Sequence, residues 1–435
     1  MYLSRRNFLK TSAAAAVMLP AMKTGALSKV SANDKLNVAL IGCKNMGWSN
    51  LSDMLLTNEV ECVALCDIDQ SIINNRASEL ESKGMKKPAL YGDYRKLLER
   101  KDINVVIIGT PDHWHCLQMV DACAAGKDVY VEKPIANSIA ECDAMVAAAQ
   151  KHKRVVQVGQ QQRSSGHWQQ MVEYLRSGKL GTIGRVHIWG NFNYAAVTPR
   201  PDAPVPDGVD FDTWLGPTPV KTFNPQRFHG SWRMFWDYGG GLMTDWGVHL
   251  LDMGLWGLNV TGMPNKIVAT GGKFYYPEGA HETLDSQTVS YLFDNCIMSW
   301  ENNAGVETGP YGRGYGVLFK GTNGTLVADR DNWMVYPEMG RNREPKTPEL
   351  KVAADYQDHK LHVKNFVDCV KTRNFQTACT IENGSLCAKY AHLGNIAARL
   401  NTALVYDDAA KSFKGTPEAN RFIKPTYRPP WKFPE

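Results

Sequence analysis

The 435-residue chain has ten cysteines but no C-x-x-C pair. Structural metal sites need such paired ligands, so no metal is assigned. The H-x-H of "DHWH" (112–115) has no further spaced ligand. Cys62 and Cys66 fall on one face of a strand pattern, and Cys116 and Cys123 fall in a helix pattern. Both read as core thiols. Internal repeats and fibrous or disordered composition are also missing. So is a lasting charge excess. The net +5 equals the five bases Arg5, Arg6, Lys10, Lys23 and Lys29, which lie in the first 32 residues beside no acid. The neutral remainder offers no electrostatic case for nucleic acid. The apolar stretch "TSAAAAVMLPAM" (11–22) is too short to span a bilayer as a mature helix, so no membrane association of the mature form is expected. What is present is 43% hydrophobic residues, ample for a core, in a length fitting two or three domains.

Residues 1–32 read as an export signal: a basic start, the short apolar stretch, and "VSA" before Asn33 as a small-residue cleavage site. Ser4, Arg5, Arg6 and the following "NFLK" resemble a twin-arginine signal. The alternatives are a general secretory signal, or an anchor, with two adjacent arginines. No Cys follows the apolar stretch, which argues against a lipoprotein. The expected location is periplasmic. Twin-arginine substrates cross already folded, so buried reduced thiols are compatible with an oxidising destination.

Residues 33–159 alternate strand and helix. "LNVALIG", "VECVALCD", "NVVIIGT", "DVYVEKP" and "RVVQVG" are near-continuous apolar runs, the mark of parallel strands covered on both faces. Ser138 and Glu141 form a capping box at the helix before the last strand, and Gly126 stops the helix before it. This predicts an α/β chain whose N-terminal domain is a doubly wound parallel sheet. From 160 the pattern changes. A helix near 167–177 and the strand "GRVHIWGNFNY" lead to a Pro-rich, aperiodic stretch over 195–235. Its Trp, Phe, Arg and Asp content suits an ordered, substrate-facing loop. Segments rich in β-branched and aromatic residues follow over 264–336, with a hairpin turn at Asp294-Asn295, then helices near 358–372 and 382–400 and the tail "YRPPWKFPE". The second unit, 160–435, is thus expected to be an α+β domain on a large, mostly antiparallel sheet that also serves oligomerisation.

"IGCKNMGWSN" (41–50) follows the first strand and resembles the G-x-G-x-x-G turn of dinucleotide-binding folds. Gly42 and Gly47 fit the outer glycines; Lys44 replaces the middle one. Lys44 is compatible with phosphate if its dihedrals are ordinary and its side chain points away, or if its ammonium reaches the phosphates. Asp67 ends the second strand 20 residues after Gly47, where an acid bonds ribose hydroxyls. An Asp there repels a 2′-phosphate, and no Arg follows immediately in "CDID", so NAD is favoured over NADP. The alternative for Asp67 is a loop cap.

"VEKP" (131–134) ends a parallel strand at its carboxyl edge, and "GGGLMTDWGVHLLD" (239–252) is glycine-rich, then helical. Asp245 and His249, four apart, share a helix face. Oxidising a carbinol needs a base for its hydroxyl proton, a task suited to His. Asp245 would orient it or contact substrate. Otherwise Asp245 is a helix cap and His249 a satisfied buried histidine.

Together "TPDHWH", "AGKDVYVEKP", "QVGQQQRS", "WDYGGGLMTDWGVHLLD" and "HLGNIAARL" resemble the glucose-fructose oxidoreductase / inositol dehydrogenase (Gfo/Idh/MocA) family over essentially the whole mature chain. The resemblance implies Lys133, Asp245 and His249 as the catalytic trio. It implies Gly42, Gly47, Asp67, Thr110, Pro111, His115, Glu132, Lys133 and Gln160 at the NAD cofactor, and the turn residues Lys44, which departs from the family pattern, Asn45 and Met46 are expected there with them. Arg163 would lie near nicotinamide or substrate, and Trp232, Arg233, Trp236 and Asp237 are candidate sugar contacts. The implied activity is NAD-dependent hydride transfer with a sugar, glycoside or polyol. The alternative is a redox-neutral glycoside hydrolase or lyase acting through a 3-keto sugar. A non-catalytic carbohydrate-binding protein is disfavoured by the intact trio. A carbohydrate partner and a homo-dimer or tetramer are the expected interactions. Little free NAD is expected in the periplasm, which favours a tightly bound cofactor.

Overall fold

A computed structural model describes residues 35–193 and 197–434; the expected export signal lies outside the described residues. The apolar runs of the first domain form six strands: β1 (Leu36–Ile41), β2 (Val60–Cys66), β3 (Ala89–Tyr91), β4 (Val105–Ile108), β5 (Asp128–Val131) and β6 (Val156–Val158). All pair in parallel, in the order β3-β2-β1-β4-β5-β6. Between them run helices α1 (Asn45–Leu55), α2 (Gln70–Ser82), α3 (Tyr94–Leu98), α4 (Asp112–Ala124) and α5 (Ile139–His152). The Ser138 hydroxyl accepts from the Glu141 N–H and donates to its carboxylate, so the expected capping box is formed. The strand period of two sends Leu36, Val38 and Leu40 to one core and Ala39 and Ile41 to the other. Strand order reverses between β1 and β4, and a crevice opens there at their carboxyl ends.

The second unit holds α6 (Gly166–Arg176), β7 (Ile183–Asn191), α7 (Phe211–Leu215), α8 (Val248–Leu258), β8 (Lys266–Gly272), β9 (Ser286–Leu292), β10 (Ile297–Asn303), β11 (Tyr315–Gly321), β12 (Gly324–Ala328), β13 (Asn332–Pro337), β14 (Leu350–Ala353), α9 (Asp358–Thr372), α10 (Ile381–Leu400) and β15 (Ala403–Leu404). Its nine-stranded sheet runs β14-β13-β12-β11-β7-β10-β9-β8-β15, antiparallel except where β7 meets β10. The β9–β10 hairpin closes over Asp294-Asn295 with Phe293 N–H donating to the Cys296 carbonyl. Ile267, Val289, Tyr291, Met298 and Trp300 turn to one face and pack with Leu250, Met253, Tyr390 and Leu393 of α8 and α10.

Two later segments return to the first domain. Val363, Phe366 and Val367 of α9 pack with Leu36, Leu51 and Met54. In the tail, Trp431 stands edge-on to Trp114, and the Tyr427 hydroxyl donates to Glu141 Oε1. The stretch 160–435 is therefore one unit in sequence but serves two cores in space. All ten cysteines are free and buried.

Buried histidines tie these layers together through backbone carbonyls. Nε2–H of His113 donates to Trp214, that of His362 to Val158 and that of His392 to Ala136. Burial pulls His113, His115, His362 and His392 down from 6.5 to about 4. The unfolded chain therefore binds more protons than the folded one between these values, so stability is fully present above pH 6.5 and is lost as pH falls toward 4. NMR titration of the imidazoles at pH 5.5 should show these four histidines neutral in the folded protein, whereas free histidines are then about nine-tenths charged. Four imidazoles charged at that pH would contradict this assignment.

Candidate active site

A cavity of about 570 Å³ occupies the crevice. Its nucleotide half is built from the turns after β1, β2 and β4. Gly42 has φ +84°, and a Cβ on Gly47 would lie 2.2 Å from the Gly42 carbonyl oxygen. A Cβ on Gly109, which sequence reading did not single out, would lie 2.4 Å from Gly47 Cα. Three backbones thus cross where no side chain fits, and this brings the amino end of α1 to the cavity. Lys44 is exposed, with φ −104° and ψ 158°. This is ordinary extended backbone, so the position does not require glycine. The unusual dihedral falls on Asn45, at φ 43°, which asparagine tolerates.

Asp67 lines the cavity, with Oδ2 accepting from Cys43 N–H at 2.7 Å and Oδ1 from Asp69 N–H at 3.1 Å. Burial raises its carboxyl above the usual range. Lone pairs remain on both oxygens for hydroxyl donors. Glu132, buried just past β5, accepts from Asn50 Nδ2 at 2.7 Å. Thr110 is fixed by its hydroxyl donating to Gln118 Oε1 at 2.7 Å. Lys44, Asn45, Met46, Thr110 and Pro111 all border the cavity. A glycine cradle, a helix amino end and a strand-end acid fit a dinucleotide.

The other half is lined by Lys133, Trp232, Arg233, Asp245, Trp246, His249 and Arg330. Lys133 Nζ donates to Asp245 Oδ1 at 2.7 Å and to its carbonyl at 2.8 Å. Arg233 Nε reaches the same Oδ1 at 3.2 Å, with its guanidinium over the Trp232 ring. Asp245 and His249 do not sit on a regular α-helix as expected. Asp245 lies in a five-residue π-helical turn, Met243–Gly247, and His249 in the first turn of α8. Such turns recur at functional sites because they displace side chains from α-helical register. His249 is buried, its Nδ1 has no hydrogen-bond partner among the described residues, and burial with the Lys133 and Arg330 cations holds its pKa well below the usual value. Asp112 also lines this half, buried, with its carboxyl pushed up by desolvation.

Five expected contacts fall elsewhere. Arg163 forms a bidentate pair with Asp252 of α8 at 2.7 and 2.8 Å, away from this cavity. Gln160 donates to the Val248 carbonyl, and its neighbour Gln161 borders the cavity instead. Trp236 lies under the Arg399 guanidinium, and Asp237 pairs with Lys221 at 2.5 Å. A 3₁₀ turn, Ser231–Met234, presents Trp232 and Arg233 to the cavity, and the chain then leaves it. His115 lies between the carbonyls of Pro134 and Thr110, bracing the cofactor loops from behind. Gly109, Asn50, Asp112, His229, Trp246 and Arg330 were missed. The end of "NVVIIG" marked Gly109 and the D-W-G-x-H string marked Trp246, but no local signal marked Arg330.

Residues 36–160 match "Oxidoreductase family, NAD-binding Rossmann fold", and residues 181–267 and 329–433 match "Oxidoreductase family, C-terminal alpha/beta domain", both of Gfo/Idh/MocA. The chain belongs to the Gfo/Idh/MocA oxidoreductase family. Its nucleotide half is accordingly an NAD site. Among curated proteins, it is similar to a glycosyl hydrolase family 109 protein of Shewanella baltica, at 30% identity over 34% of this chain and 38% of that protein. It is also similar to the alpha-N-acetylgalactosaminidase of Shewanella oneidensis, at 32% identity over 27% of each. The matches thus span well under half the length of these relatives. In fold it resembles levoglucosan dehydrogenase (TM-score 0.64, 18% identity, 86% of this chain and 99% of that one). It equally resembles aldose-aldose oxidoreductase of Caulobacter crescentus (TM-score 0.64, 18% identity, 85% and 99%).

Lys44, an exposed cation on the rim of the NAD site, should add affinity through screened attraction to the phosphates. Lys44→Ala is expected to weaken NAD binding by roughly threefold to fivefold at low salt, with the difference fading at high salt. Titration of cofactor-stripped protein at two ionic strengths checks this; equal affinities at both would remove Lys44 from cofactor retention.

Proposed function

We propose that this member of the family is an NAD-dependent oxidoreductase acting on a hydroxyl of a sugar, glycoside or polyol. The observation that carries the reading is the cluster of Lys133, Asp245 and neutral His249 on the wall of the NAD cavity, between Trp232 and Trp246. When bound, NAD supplies hydride-transfer capacity. His249, uncharged and with Nδ1 unpartnered, accepts the substrate hydroxyl proton. The burial and nearby cations that keep it neutral also make it a weak base, so the proton moves as the carbinol loses hydride and its oxygen acidifies. Lys133, held by Asp245, offers an N–H to that oxygen. Trp232 and Trp246, whose rings also carry the Arg233 and Arg330 guanidinium groups, add apolar wall for sugar C–H groups.

Retention of the cofactor is part of the proposal. Residues 207–231 strap the end of β2: Gln70 N–H donates to the Gly208 carbonyl at 3.0 Å, Asp210 N–H to Ile68 at 2.9 Å, and His229 Nε2 lies 2.9 Å from Asp69 Oδ2. A strap beside Asp67 favours a cofactor that stays in place and is regenerated there, as a protein exported already folded needs. Periplasmic residence after twin-arginine-type export, and a homo-dimer or tetramer, belong to the same proposal.

The names of the curated relatives favour a second reading, a redox-neutral glycosidase or lyase. In it C3 would be oxidised with the hydride held on NAD, the ketone would acidify the C2 proton, elimination would expel the aglycone, and addition of water (for a hydrolase) with return of the hydride would restore the C3 hydroxyl. Aglycone release without net NADH separates the two.

His249→Asn should lower sugar-dependent absorbance change at 340 nm by about 10²–10⁴-fold while the NAD content of the purified protein is unchanged. Activity within a factor of two of the parent would sink the assignment.

A further inference from the structure

Arg330 stands on the turn between β12 and β13 and reaches the substrate half of the cavity. Its guanidinium lies 4.5 Å from the Trp246 ring centroid, and its buried Nε has no hydrogen-bond acceptor among the described residues. The acids flanking it in sequence are engaged elsewhere. Asp329 pairs with Arg313 at 2.9 Å, and Asp331 accepts from the Tyr356 hydroxyl at 3.1 Å. Tyr315, Asp358 and Asp245 act on it electrostatically, but no carboxylate forms an ion pair with it among the described residues. Desolvation even lowers its affinity for a proton.

The charges nearby sharpen the point. Lys133 and Arg233 share the Asp245 carboxylate, His249 is neutral, and Asp112 is pushed toward its protonated form. This half therefore carries a surplus of positive charge. A largely buried cation without a counter-ion is costly unless a ligand completes it. Sugar hydroxyls would satisfy single N–H groups only. A carboxylate matches the planar two-pronged guanidinium and supplies the missing charge.

We propose that Arg330 is the carboxylate anchor of this site, and that the substrate is a hexuronic acid or a glycoside of one. This rests on the sugar-oxidoreductase reading and narrows its substrate class.

The test uses the mature holoprotein with its NAD. Calorimetric binding is measured for methyl glucuronoside and methyl galacturonoside, for the matching neutral methyl hexosides, and for glucose 6-sulfate; absorbance at 340 nm is followed in parallel. At least one uronoside should bind about 10- to 100-fold tighter than its neutral partner. In Arg330→Gln that ratio should fall close to one with NAD content unchanged, and Arg330→Lys should retain part of it. Neutral sugars binding equally well, no binding by either class, or an unaltered preference in both variants would overturn the proposal. Binding of the sulfate as tight as the uronosides would overturn the carboxylate assignment and leave Arg330 as a general anion anchor. Uronoside binding without any absorbance change or bond cleavage would count against the oxidoreductase reading, not against the anchor.

Discussion

The reactive end of this protein exists only because a lysine from one sheet meets a carboxylate from another layer. Lys133 follows β5, and Asp245 precedes α8; they touch at 2.7 Å with both side chains largely buried. Neither domain alone carries a complete site. A partly buried ion pair is a poor source of net stability, because desolvation offsets much of the attraction. Its value here is geometric: it points the ammonium at the cavity beside His249. The junction is held by other contacts, including Gln160, just past β6, to the Val248 carbonyl, His392 to the Ala136 carbonyl, and Arg163 to Asp252. Arg163 thus positions the first turns beyond β6 against α8, whose amino end carries His249.

The cavity is electrically divided. Asp67 and Glu132 line the nucleotide half, and the cations Lys133, Arg233 and Arg330 line the other half with Asp245 and the buried Asp112. Burial, reinforced by the Lys133 and Arg330 cations, is what keeps His249 neutral.

Much of the first domain was legible because its strands are continuous apolar runs, and their carboxyl ends face a crevice once strand order reverses. The substitution at Lys44 looked like a departure. Its extended backbone explains why it is none: the steric demand lies at Gly42, Gly47 and Gly109, where backbone meets backbone. The second domain was less legible. Trp232, Arg233, Trp236 and Asp237 are indistinguishable by composition, yet a single 3₁₀ turn sends the first two inward, and the others pair with Arg399 and Lys221. Likewise, four-residue spacing put Asp245 and His249 on one helix face, whereas a π-helical turn does the placing.

The sequence by itself determined the α/β alternation, the glycine turn, the acid at the end of β2 and the presence of the lysine, aspartate and histidine. Each is a local matter of apolar period, backbone sterics or residue chemistry at a strand end. Tertiary structure alone decided that Arg163 braces the junction, that α9 and Trp431 return to the first core, and that Arg330 reaches the cavity with no carboxylate in an ion pair with it among the described residues. These depend on contacts across tens to hundreds of residues, and no short window of sequence carries the distances that make or deny them.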